Sequence, residues 1–482
     1  MLRLPLTLFF FILTSWAIGQ SSLQQSVRKF ALDEALAGAT ISIDVIEVES
    51  GQRVAYHQPG LACIPASTQK LLTTAYALDQ LGEDHQFTTK LIATGPIVDG
   101  VLRGDLYLLG GGDPSLGSPY LEGVPGLNDV LDRWRTAVRK AGIRRIEGRV
   151  IGDGSYYGTD AVAAGWPWSD LGNYYGSGAY GLNIHENFYF LDFLQRSREG
   201  STPPVNGTRP KVPGLRLTNE LRSGPRGSGD QAYIFGAPFG YDNYVRGTIP
   251  IGTGRFTIKG ALPDPPHFAA QALCRHLEAG GISVRLPTES DRTLGSGRYQ
   301  EGKVLDEYHS PPLIELIDRT NLRSVNLYAE TLLREVNKNR GEEHFALSST
   351  EGLLNWLEAT GSPLTGVHLE DGSGLAPRNF FPAAFMTAFL RSQAGNTRWR
   401  KSIPLAGRTG SMRNYLKGTA AEGRLYAKSG SVSGARNYAG YAVRADGREL
   451  AFAIMVNNYT LSGSELRKKK LALMEALCSA RF

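Results

Sequence analysis

The chain has 482 residues, a formal net charge of +6 and a 20% share of charged residues. It is long enough for more than one domain and too mildly basic to suggest a polyanion as its main partner. Its 57 glycines stand well above the ordinary ~7% of residues, which favours many turns and argues against a helical bundle.

The first residues, MLRLPLTLFFFILTSWAIGQSS, place Arg3 ahead of an apolar run from Leu4 to Ile18. Ala17-Ile18-Gly19 has the small–x–small form of a cleavage site, so residues 1–19 are expected to be a signal peptide and the mature chain to start near Gln20. An uncleaved anchor is the alternative, but the run is short for a span. No later stretch reaches the ~20 apolar residues of a membrane helix, so membrane contact is expected to be peripheral at most.

Residues 21–37 read as helix. TISIDVIEV (40–48) alternates as a strand does, Ser50-Gly51 marks a turn, and RVAYH returns. After Ser67 the apolar positions Leu71, Leu72, Ala75, Leu78 and Leu81 trace the stripe of a core-packed helix, with Gly82 as its stop. From 89 to 306 the texture changes to Gly, Pro, Tyr and short β-like runs, including VIGDGSYYG and GWPWSDLGNYYGSGAYG, with 199–231 expected as a loop. Helices resume after Pro311 and Pro312. RLYAKSGSV, NYAGYAV and ELAFAIMV predict an antiparallel meander with Asp446-Gly447 at a hairpin. A helix from about Ser464 follows. Its basic run, Arg467 to Lys470, reads as a solvated face, or as a contact with an anionic envelope surface.

Strands and helices at both ends thus flank a β-rich block. The economical fold is one α/β (α+β) domain built from residues 20–88 and 307–482 and interrupted by an insertion over 89–306. Three cysteines, Cys63, Cys274 and Cys478, are too few for a disulfide framework, and their pairing is not readable. Cys63 is expected to be a small buried apolar residue.

Ser67 and Lys70, three apart at a helix start, face the same way. A lysine that loses its proton by desolvation can activate a serine. Ser-x-x-Lys alone is equally a helix cap followed by a solvated lysine. Two further stretches change its weight: Ser324-Val325-Asn326 between two helical patterns, and Lys428-Ser429-Gly430 on a strand. Their order and local context match the ordered triplet of penicillin-recognising serine enzymes. No Gly-x-Ser-x-Gly elbow occurs, and the eight histidines show no ligand spacing, so neither an α/β-hydrolase, a metal nor a cofactor is expected. Zinc-finger and basic–aromatic motifs are missing, and no nucleic-acid partner is expected.

On these motifs, with GDLYLLGGGDPSL, SPPLIELIDRTNLRSVNLYAE, DGSGLAPRN and AKSGSVSGARNYAGY, the chain resembles the class C low-molecular-mass penicillin-binding proteins, the penicillin-binding protein 4 type of D-alanyl-D-alanine carboxypeptidase/endopeptidase. The resemblance implies a β-lactamase-like transpeptidase fold, an antiparallel sheet flanked by helices, in a periplasmic enzyme acting on peptidoglycan stem peptides and acylated by β-lactams. It implies Ser67 as nucleophile, Lys70 as its base, Ser324 as a proton relay, Asn326 as a holder of Lys70 and substrate, and Lys428 as positive charge near the terminal carboxylate. Ser429 (where the family usually has Thr) would donate to that carboxylate, Gly430 would leave room for the substrate backbone, and the N–H groups of Ser67 and Ser431 would form the oxyanion hole. Asp153 resembles a reader of the side-chain amine, and is equally a turn-forming Asp. Trp166 and Trp168 are expected to pack inside the insertion, with lining of the cleft as the alternative, Arg408 to Ser411 to be structural, and Asp371 to Gly374 to be a tight loop at the rim. A β-lactamase or esterase of the same superfamily, or a silent peptidoglycan-binding homologue, remains the alternative.

Overall fold

The computed structural model describes residues 22–294, 301–342 and 347–479. The expected signal peptide lies outside the described residues. Among these no helix is long and apolar enough to cross a membrane.

The two ends of the chain share one sheet. Strands Thr40–Glu47 and Arg53–His57 join the meander Leu425–Val432, Ala435–Val443 and Glu449–Asn457 in an all-antiparallel five-stranded sheet. Glu449–Asn457 pairs with Thr40–Glu47 on one side and Ala435–Val443 on the other, which leaves Leu425–Val432 at an edge. The central strand, ELAFAIMVN, is apolar on both faces because both are covered. Phe452, Ile454 and Val456 pack with Leu23, Val27, Leu473 and Leu477 of helices Ser22–Ala31 and Gly463–Ser479. Ala451, Ala453 and Met455 join a second core with Leu71, Leu72, Leu316, Tyr328 and Phe389. Each such large side chain removed from water contributes ~1.5–3 kcal/mol.

The helix after Ser67 departs from the sequence reading in a useful way. A 3₁₀ turn, Ala66–Gln69, precedes the α-helix Lys70–Leu81. No side chain caps either start, so Ser67 is not a helix cap. The α-helix is also buried all round over Lys70 to Ala77, not along one stripe. Its polar residues survive because backbone carbonyls accept from them: Thr73 Oγ1 donates to Gly372 O at 2.6 Å and Thr74 Oγ1 to Lys70 O at 2.7 Å.

Between the two parts lies the β-rich block. Thr88–Ala93 pairs antiparallel with Lys303–His309, so the chain enters and leaves the block through adjacent strands. Their sheet continues through Leu106–Leu109, Val150–Asp153 and Glu289–Ser290, and helix Pro265–Ala279 covers it. Residues 199–231 are not a plain loop. They contain strands Val205–Arg209, Arg216–Asn219 and Arg222–Gly224, paired with Phe188–Leu194 or Asp242–Pro250. Their Pro and Gly content hid short edge strands, in which those residues are tolerated. All three cysteines are free thiols. Cys63 is buried, as expected, and burial raises its thiol to about 12.

Candidate active site

A 3₁₀ turn has three residues per turn, so side chains at i and i+3 eclipse. Ser67 and Lys70 therefore stand one above the other, with Lys70 Nζ donating to Ser67 Oγ at 3.0 Å. Lys70 is fully buried and donates also to Asn326 Oδ1 at 2.6 Å and to the Ser373 carbonyl at 2.7 Å. All three acceptors are neutral. Burial pulls the Lys70 ammonium down from 10.5 to about 8, against the opposing charges of Asp371 and Glu330.

Ser324 and Asn326 are delivered by a sharp corner. Helix Leu313–Arg323 ends at Ser324, which takes the left-handed conformation at φ 61°, ψ 41°, and Asn326 opens the helix Asn326–Asn339. This backbone is uncommon for a residue with a side chain. It lets Ser324 Oγ accept from Lys428 Nζ at 2.7 Å. Lys428 is fully buried and its pKa falls well below 10.5, first through burial and then through the charge of Lys70. Asn326 Nδ2 donates to the Tyr175 carbonyl at 2.8 Å, tying the β-rich block to the same corner.

The edge strand Leu425–Val432 closes the site. A Cβ on Gly430 would lie 2.5 Å from Pro65 O and 3.1 Å from Ser67 N, so only glycine lets the strand lie against the Ser67 turn. Neighbouring Ser429 points its hydroxyl at Ser411 Oγ, 3.3 Å away. Residues 408–411 thus reach the strand rather than only scaffolding it. A cleft of about 720 Å³ opens above, lined by Ser67, Ser324, Asn326, Ser431, Asp170 and Tyr175 among others.

Five sequence-predicted residues, Ser67, Lys70, Ser324, Asn326 and Lys428, thereby meet in one linked group, with Ser429, Gly430 and Ser431 on the adjoining strand. Asp153 does not join them, which corrects that expectation. It is buried in Val150–Asp153 and its Oδ1 accepts from Ser155 N at 2.9 Å, the local turn bond open to an Asp before Gly. The carboxylate that does line the cleft is Asp170, which accepts from Tyr175 Oη at 3.2 Å and is pushed upward by burial.

The loop from Asp371 to Gly374 was expected at the rim and instead forms the floor. Asp371 is wholly buried. Its carboxylate accepts from the N–H groups of Gly374, Leu375 and Ala376 at 2.8, 2.9 and 2.8 Å, and from Asn379 Nδ2 at 2.8 Å. Gln69 Nε2 adds a bond at 3.2 Å, and Trp166 Nε1 one at 2.8 Å from within the β-rich block. Trp166 is therefore a strut between the two parts of the molecule, not packing confined to the insertion. Trp168 is 55% exposed beside Phe235 and Tyr244. This cage holds the Ser373 carbonyl on Lys70. Glu330 receives the Gly372 N–H at 3.1 Å, and burial raises its carboxyl to about 7, with Asp371 adding to the shift.

The model of the D-Ala-D-Ala carboxypeptidase 3 (S13) family matches residues 23–479. The D-alanyl-D-alanine carboxypeptidase of Actinomadura sp. (strain R39) is 28% identical over 459 residues, 91% of this chain and 82% of its own length. D-alanyl-D-alanine carboxypeptidase DacB of Haemophilus influenzae is 25% identical over 449 residues, 91% of this chain and 89% of its own. The crystal structure of penicillin binding protein 4 from the same organism shares the fold, with a TM-score of 0.79 at 24% identity over 95% of this chain and 98% of that one. The family pattern spans both ends of the chain and the block between them, and the chain belongs to the D-Ala-D-Ala carboxypeptidase S13 family.

Proposed function

We propose that this protein is a serine DD-peptidase in which Ser67 attacks the carbonyl of the penultimate D-alanine of a peptidoglycan stem peptide. The observation that carries the reading is the Lys70 ammonium, buried among neutral acceptors and 3.0 Å from Ser67 Oγ. A lysine so placed sheds its proton readily and can take the one that Ser67 loses on attack. The new Ser67–carbonyl bond leaves charge on the carbonyl oxygen, which the N–H groups of Ser67 and Ser431 would stabilise. Ser324, linked to Lys428, returns a proton to the leaving amine. Lys428 and the Ser429 hydroxyl favour a carboxylate on the leaving side. Water then cleaves the acyl-enzyme.

The leaving amine is that of D-alanine in a carboxypeptidase and that of a cross-link in an endopeptidase; we propose both, since both present the same acyl side to Ser67. Asp170 in the cleft suits a cationic group on that side. We further propose a periplasmic location after removal of residues 1–19, and a division into a catalytic unit of residues 20–88 and 307–482 with an inserted unit of residues 89–306. A β-lactam would acylate Ser67 and leave slowly. In support, the H. influenzae relative has been crystallised in complex with a β-lactam.

The test is intact mass after mixing with benzylpenicillin, beside a Ser67→Ala control. One added penicillin, in the wild type only and lasting minutes, supports the proposal. No adduct refutes the acyl-enzyme, and rapid loss of adduct with antibiotic turnover would mean a β-lactamase instead.

A further inference from the structure

The edge strand Leu425–Val432 separates two different environments. Side chains alternate along a strand. Lys428 and Gly430 face the Ser67 turn. Ser429 and Ser431 alternate with them, in register with Tyr438 and Arg436 of the neighbouring strand, and Ser431 borders both the cleft above Ser67 and a second cavity. The helix Gly463–Ser479 covers the sheet there and leaves this cavity of about 230 Å³. Ser411, Ser429, Arg436, Tyr438, Arg467 and Lys470 line it.

The basic run that reads as a solvated face is divided by the helix. Lys469 Nζ meets Asp33 Oδ2 at 2.5 Å. Arg467 and Lys470, three apart, turn inward together. Lys470 is 1% exposed, yet it makes only one hydrogen bond, to the Arg436 carbonyl at 2.8 Å, out of the three its ammonium can donate. Arg467 donates to Tyr415 Oη at 2.8 Å and Arg436 to Tyr459 Oη at 2.9 Å. The Lys470 ammonium also lies 4.9 Å from the centre of the Tyr438 ring. Every partner is neutral. Among the described residues no carboxylate pairs with any of the three cations.

Buried charges are ordinarily paired. Here one buried lysine and two half-buried arginines converge on a cavity with only phenols and a carbonyl as partners. Burial, and then the charges of Arg436 and Arg467, pull the Lys470 ammonium down to about 7. Guanidinium groups present planar forks that match the paired oxygens of a carboxylate or phosphate. At ~30 Å³ per water the cavity holds one such group and a few waters, and nothing much larger.

We infer that Arg436, Arg467 and Lys470, with the hydroxyl of Ser411, form a binding site for a small oxyanion between the Lys-Ser-Gly strand and the helix Gly463–Ser479. Its occupant is a phosphate-sized oxyanion, supplied either as free phosphate or as the carboxylate of a peptide end that reaches round the strand edge. The site stands apart from the catalytic reading, because its three cations make none of the Ser67 contacts and the Ser429 hydroxyl is left to the leaving-side carboxylate.

The test titrates the full chain calorimetrically with inorganic phosphate and, separately, with N-acetyl-D-alanine, at constant ionic strength. Saturable one-to-one binding of phosphate that weakens at least tenfold in Lys470→Met and in Arg467→Ala establishes the site with a phosphate occupant. The same result with N-acetyl-D-alanine establishes it with a peptide carboxylate. The absence of saturable heat for either anion, or equal affinity in wild type and variants, overturns it. Penicillin acylation of Ser67 reports that each variant is folded. Should Lys470→Met fail to fold, Arg467→Ala, at a half-buried position, carries the comparison.

Discussion

If Lys70 is the base for Ser67, the rate of acylation must follow the neutral fraction of that one lysine. With its pKa lowered from 10.5 to about 8, about a tenth of the molecules carry neutral Lys70 at pH 7. An ordinary lysine would give about one in 3,000. The rate constant for acylation by benzylpenicillin, followed by stopped flow or quenched mass spectrometry from pH 5.5 to 9.5, is therefore expected to climb with pH through a midpoint at about 8 and to level off above about 9. Glu330 complicates the climb in a specific way. Burial lifts its carboxyl to about 7, so it ionises within the same window, and once ionised it helps Lys70 keep its proton. The wild-type rise should thus be shallower than a single titration. Glu330→Gln keeps an acceptor for the Gly372 N–H, now received at 3.1 Å, but removes the charge. It should steepen the rise to a single titration and move its midpoint to lower pH. A midpoint near 10.5, a flat profile, or an upward move in Glu330→Gln would refute Lys70 as the titrating base.

Three substitutions test the geometry around that base. Asp371→Ala leaves three backbone N–H groups and the Trp166 indole N–H without their acceptor, while the Asn379 and Gln69 amides lose one acceptor but keep the carbonyls of Ala376 and of residue 371. At ~1–3 kcal/mol for each buried donor left unpaired, thermal or urea unfolding should report a loss of at least about 3 kcal/mol, whereas a loss under 1 kcal/mol would show the cage to be dispensable. Ser324→Ala and Ser324→Gly both remove the hydroxyl at Lys428 and should both slow acylation. Only the glycine variant relieves φ 61°, so it should be the more stable of the two by ~1 kcal/mol, measured as paired melting curves. Gly430→Ala places a methyl 2.5 Å from Pro65 O and 2.9 Å from Thr68 N, both backbone atoms that cannot step aside. Displacing the strand by even ~1 Å should cost about a hundredfold in acylation rate, and a variant acylated at the wild-type rate would disprove the close approach.

What the sequence discloses depends on the range over which each residue acts. Ser67 and Lys70 are legible because their relation is local: three residues, one turn, one face. The meander is legible because alternation and a hairpin pair are local too. Asp371 is not. Its neighbours in sequence, Gly372 to Gly374, suggest a turn, and a turn it is. Yet its importance comes from Gln69, 302 positions earlier, and Trp166, 205 positions earlier, neither of which carries any mark in sequence of the bond it makes. Asp153 fails for the opposite reason. Its Asp-Gly context is readable, and the local turn bond is all that it makes with that side chain's Oδ1, so a long-range role assigned to it finds no support in its surroundings. The basic run at 467–470 shows the same limit within a single helix. Composition places four cations in a row, but only the packing partner decides that Lys469 faces Asp33 while Lys470 is buried against Tyr438. Motifs thus report the groups that do chemistry, since those must sit at fixed local spacing. The residues that hold such groups at a set electrostatic potential are scattered along the chain. If Lys70 is the base, that second set fixes its neutral fraction at a given pH, because burial lowers its pKa while the charges of Asp371 and Glu330 raise it.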